Sequence, residues 1–144
     1  MKTHFLKTIL LFVSVLFLTE TTYSQTEHIR GLEESLREAS GPGRVGILLK
    51  LSEAYQSAGQ VSKAADKAEE AVDFARRIKD PELRALALTR EGNIMMARGK
   101  KKFVAKFEQS LSLLKEAKSN NKSLALENLE NLRKAAMVNR KSVV

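Results

Sequence analysis

The sequence predicts an all-α chain, a short solenoid of antiparallel helix hairpins, and three observations predict it. Apolar residues past residue 25 recur at steps of three and four, the period of one helical face, as in Ile29, Leu32, Leu36 and Ala39. Strand signals are nearly absent, because β-branched residues seldom alternate with polar ones. Positions also return after forty residues: Leu48, Ser52, Tyr55, Gly59, Ala64 and Ala71 recur as Leu88, Gly92, Met95, Gly99, Val104 and Leu111. An internal repeat of fixed period is the mark of a solenoid.

Composition fits such a chain. The 144 residues suffice for one domain with an elongated core, and 43% apolar with 29% charged residues argues against wholesale disorder. Two prolines and seven glycines leave long helices little interrupted. Cysteine is absent, which removes disulfides, thiolate metal sites, cysteine nucleophiles and a lipid-anchoring cysteine together.

The first 24 residues read as a secretory signal. Lys2 and Lys7 make a positive entry, Ile9 to Leu18 an apolar run broken only by Ser14, and Thr22 and Ser24 offer small residues at a cleavage site. Cleavage is expected after Ser24, placing the mature chain outside the cytoplasm, periplasmic or extracellular. At ~1.5 Å per residue the run spans only about half of a ~30 Å hydrocarbon core, too short for an anchor.

Thr26 to Ala39 reads as a helix with one apolar stripe, closed by Gly41-Pro42-Gly43 and acting as the cap of a stack. A helix from about Arg44 to Ala58 follows and stops at Gly59, which can take the left-handed conformation. Its partner starts near Ser62 as capping residue and carries the row Val61, Ala64, Ala68, Ala71, Ala75 and Ile78, whose alanines imply close helix contact. Asp80-Pro81-Glu82 is a strong helix start: a capping oxygen, a proline where no amide partner is needed, and a carboxylate at the positive end of the dipole. That third helix covers about Pro81 to Arg98 and ends at Gly99; its partner runs from about Lys101 to Lys118 with Phe103, Phe107, Leu111 and Leu114 as packing stripe. After Ser119-Asn120-Asn121, a last helix from about Lys122 to Val138 carries Ala125, Leu129, Leu132 and Ala136, expected to lie against Phe107, Leu111 and Leu114. Its other flank, with Leu124, Leu126 and Val138, is then left without a partner, and self-association or partner binding is expected there.

The pattern from Leu48 to Ala71, L-x-x-L-S-x-x-Y-x-x-x-G-x-x-x-x-A-x-x-x-A-x-x-A, resembles a tetratricopeptide (TPR) repeat of the exported bacterial type. The resemblance covers about Arg44 to Lys118. The second repeat departs from it at Glu91, Met95 and Glu108, and the period of forty is longer than the usual ~34. After the signal over 1–24, it implies a capping half-repeat over 25–43, repeats over 44–80 and 81–119, and a half-repeat with a basic tail over 120–144. It further implies that the first helix of each pair lines a concave groove, with Leu49, Lys50, Glu53 and Gln56 beside Leu86, Thr89, Arg90, Asn93 and Met96. A groove of that mixed polarity suits a protein or peptide partner. The family's clamp for C-terminal carboxylates is not reproduced, since Leu49 and Glu53 stand where it uses lysine and asparagine. Similar repeats also form extracytoplasmic parts of some bacterial sensor kinases.

No enzyme chemistry is legible. Past the signal the only histidine is His28, on a charged helix; no triad, zinc motif or phosphate loop occurs, and no cofactor or metal is implied. Glu33-Glu34 and Glu69-Glu70 are neighbours pointing about 100° apart, which suits solvated faces rather than an acid and base pair. Charge is uneven. Residues 26–97 hold 11 Lys and Arg against 12 Asp and Glu, a net of −1, and residues 98–144 hold 12 against 4, a net of +8. Lys100, Lys101 and Lys102 at a turn, with Lys106, Arg133, Lys134, Arg140 and Lys141, offer a second mode of action: an accessory or sensor-type module docking on an anionic surface, membrane lipid or an acidic protein. Nucleic acid fits less well, since no aromatics are interleaved for base stacking.

Overall fold

A computed structural model of the chain describes residues 24–141. All but the last residue of the 1–24 segment read as a signal therefore lies outside the described residues. The described part is all-helical, with no strand: α1 (residues 24–38), α2 (Gly41–Ser57), α3 (Val61–Arg77), α4 (Pro81–Ala97), α5 (Phe103–Glu116) and α6 (Lys122–Lys141). Each helix from α2 to α5 packs on the next, and α4 also touches both α2 and α6. Among the described residues no helix is long and apolar enough to cross a membrane.

The turns share one stop signal. Gly59 and Gly99 close α2 and α4 at φ +72° and +65°, and Lys79 and Lys118 close α3 and α5 at φ +57° and +49°. At each, the next amide reaches back five residues: Gln60 N to Tyr55 O at 2.8 Å, Asp80 N to Ala75 O at 3.1 Å, Lys100 N to Met95 O at 2.9 Å, and Ser119 N to Leu114 O at 2.9 Å. This satisfies carbonyls that a helix end leaves open and turns the chain back on itself.

Several sequence-based boundaries shift. Gly41-Pro42-Gly43 opens α2 instead of closing α1: Ser40 is extended and Pro42 stands in the first turn, where a missing amide costs nothing. Ser62 lies inside α3, whose flanking residue is Gln60 and whose first turn has no side-chain cap. Asp80 behaves as read, accepting from Leu83 N at 2.9 Å.

α3 lies between α2 and α4, and its row Ala64, Ala68, Ala71 and Ala75 is fully buried. One part of the core gathers Val45, Leu48, Ala71, Val72, Ala87 and Leu88; another joins Ile29 of α1 to Leu51, Tyr55, Ala64 and Ile94. The small residues at equivalent places have distinct reasons. Ser52 donates to Ala64 O at 2.8 Å, and Gly92 faces Phe107 so closely that a Cβ would stand 2.7 Å from the ring. Glu91, at the position of Leu51 in the recurrence, is tolerated because Lys106 meets it at 2.8 Å. Arg44 ties three helices together, donating to Leu36 O at 3.0 Å and to Glu70 at 3.2 Å while lying over the Phe74 ring. Burial pushes the Glu70 carboxyl up, but Lys67 and Arg44 together outweigh it and hold it below the usual carboxylate range.

The last helix is rotated from its expected setting. α6 buries Leu124, Asn128, Asn131 and Ala135, and leaves Leu129 53% exposed. The row Ala125, Leu129, Leu132 and Ala136 is therefore not the inward one, and Leu124, expected on the free flank, packs with Ala85 and Leu114. Polar partners explain the rotation. The Thr89 hydroxyl donates to Asn128 Oδ1 at 3.0 Å, Asn128 Nδ2 donates to Ser110 Oγ at 3.1 Å and to Leu124 O at 2.8 Å, and the Ser110 hydroxyl donates to Ala85 O at 2.9 Å. Turning the apolar row inward would strand these buried groups, each at a cost of about 1–3 kcal/mol.

Candidate peptide-binding groove

α2, α4 and α6 follow one another in space through the α2–α4 and α4–α6 contacts, and side chains bridge them in sequence. Glu53 of α2 pairs with Arg90 of α4 at 3.2 Å. Asn93 of α4 donates to Glu127 of α6 at 2.9 Å and accepts from Asn131 at 2.8 Å. Residues four and three apart lie on one helical face, so Leu86, Arg90 and Asn93 belong to one strip of α4.

Of the nine residues expected to line the groove, Lys50 and Glu53 are exposed, Leu86 is 40% exposed, and Leu49, Gln56, Arg90, Asn93 and Met96 are half-buried. Leu49 packs against the core below. Thr89 does not belong to the surface: it is only 2% exposed, and its hydroxyl serves the network with Asn128 and Ser110. Its place next to Arg90 in sequence turns it about 100° away, into the α5 and α6 contact. Among the described residues, no side-chain hydrogen bond or ion pair engages Lys50 or Gln56, so their polar ends are available.

Two openings lie at the ends of this strip. A cleft of about 220 Å³ is lined by Gln25 and His28 of α1 with Lys50, Glu53, Ala54 and Ser57 of α2, which brings His28 beside two of the residues expected to line the groove. A larger one of about 530 Å³ lies between the α4–α5 turn and α6, lined by the apolar Met96, Phe103, Val104 and Ala135 together with Lys101 and Lys134. Sequence reading missed the contribution of Glu127 and Asn131 from α6. Their signal was the i, i+4 spacing of polar residues on a helix read for its apolar row and its basic residues. Among the described residues no group of three His, Asp or Glu side chains is placed to hold a metal ion.

No protein-family model, curated protein or solved structure matches this chain.

Proposed function

We propose that the chain is an exported scaffold of the tetratricopeptide-repeat type, a short solenoid of helix hairpins that binds a protein or peptide partner along the strip formed by α2 and α4. One observation carries this reading: Glu53 and Arg90 tie α2 to α4, the first helices of the two hairpins, on a face where Lys50, Gln56, Leu86 and Met96 keep free surface. An extended peptide needs that alternation, apolar contact for its side chains and polar ends for its backbone and carboxylates. The shared stop motif at Gly59 and Gly99, forty residues apart, supports the repeat reading. The test is capture from an envelope fraction with the chain beginning at Gln25, against a Leu86→Glu, Lys50→Glu variant. Capture that survives at physiological salt and is lost in the variant supports the groove; equal capture by both rejects it. Intact mass of the exported chain tests the export reading, which fails if Met1 is retained.

A second reading has its own observation. The opening of about 530 Å³, lined by apolar side chains together with Lys101 and Lys134, suits docking of the basic end on an anionic surface. Binding to anionic vesicles that falls steeply between low and physiological salt would favour it over the groove.

A further inference from the structure

α6 buries two asparagines beside Leu124 and Ala135 and leaves large apolar side chains exposed. Asn128 and Asn131 face inward, whereas Leu126, Leu129 and Met137 are 66%, 53% and 48% exposed. At about 100° per residue, the row Ala125, Leu129, Leu132 and Ala136 is turned roughly a quarter of a revolution from the buried one. In this row Leu129 and Ala136 are exposed and Leu132 is half-buried, while Ala125 lies at the edge of the contact with Ala85, Leu114 and Leu124. The row reads the same in both directions, alanine, leucine, leucine, alanine at steps of four, three and four.

We propose that two copies of this chain associate through α6, each laid antiparallel on the other along this row. A row symmetric about its centre is its own complement when the second helix runs the opposite way, and such a contact is the self-matching kind that closes a dimer. Leu129 of one copy then lies opposite Leu132 of the other, and Ala125 opposite Ala136, large beside large at the centre and small beside small at the ends. The same register leaves Glu130 and Arg133 of the two copies offset by only about 3 Å along the helix axis, two residues at ~1.5 Å each. Leu126 and Met137 are offset by the same amount, so the exposed leucine and methionine meet at both ends of the contact. Within one chain Glu130 meets Lys134 at 2.9 Å and also feels the charge of Arg133. A second copy therefore supplies the apolar cover. The contact lies on α6 and does not rest on the groove reading, so the two fail separately.

Light scattering on the full chain and on the chain beginning at Gln25 tests it, the second form removing association through the apolar run at residues 9–18. Both are expected to be dimers at micromolar concentration. Leu129→Glu is expected to be a monomer with an unchanged circular dichroism spectrum, because that residue is exposed in the single chain. The absence of cysteine allows the direction to be read. Ala125→Cys mixed with Ala136→Cys should give a disulfide-linked dimer on mild oxidation, and neither variant alone should. Monomers in the Gln25 form, undiminished association of Leu129→Glu, or self-linking of Ala125→Cys as efficient as the mixed pair would each overturn the proposal.

Discussion

Asn128 of α6 accepts the hydroxyl hydrogen of Thr89 of α4 at 3.0 Å, with both side chains sealed from solvent. The pair sets the rotation of the last helix, because the asparagine amide also reaches Ser110 of α5 and so couples three helices through one side chain. Every other apolar choice for α6 would leave these groups unsatisfied.

Replacing Asn128 by leucine is therefore expected to destabilise the fold by about 1–3 kcal/mol, even though the change is apolar and the site is buried, since Thr89 and Ser110 lose a partner. Asn120→Leu, at an exposed turn position, is the control and should change stability little. Urea unfolding of the two variants decides it. A stable Asn128→Leu protein would mean that the network does not set the packing of α6.

The Gly92 contact gives a second expectation. Gly92→Ala puts a Cβ 2.7 Å from the Phe107 ring and should cost about 1–3 kcal/mol by overpacking. Phe107→Leu combined with Gly92→Ala should cost less than the sum of the two single changes, because each relieves the other. Thermal melts of the four proteins measure the coupling, and strict additivity would remove the close approach of α4 and α5 from the explanation.

Alkaline pH should act through Tyr55. Burial, then its hydrogen bond to Glu33 and the charge of that carboxylate, push the phenol up from 10.0 to about 12. A phenol with a raised folded value favours the folded state fully below 10.0, and that contribution is lost as pH climbs towards about 12. Between those values the melting temperature should fall faster for the natural chain than for Tyr55→Phe, which has no proton to lose. Parallel pH profiles would show that the Tyr55 phenol does not carry the difference.

What the sequence determined by itself was the all-helical class, the approximate positions of five helices past residue 40, and the glycine stops at 59 and 99. Steps of three and four, Asp80-Pro81 and the glycines at 59 and 99 act within a few residues of themselves, so local chemistry is enough to read them. The alanine row of α3 was also legible, because an apolar face without bulk has to lie against another backbone.

Tertiary structure alone decided which face of α6 turns inward, that Thr89 leaves the surface, and that Gly41-Pro42-Gly43 starts a helix. Hydrophobic pattern ranks the faces of a helix by greasiness, and on that scale Leu129 and Leu132 outrank Asn128 and Asn131. The ranking reverses when partners 18, 38 and 39 residues away in the chain supply hydrogen bonds that burial makes obligatory. Those partners belong to other helices, and no local period records them.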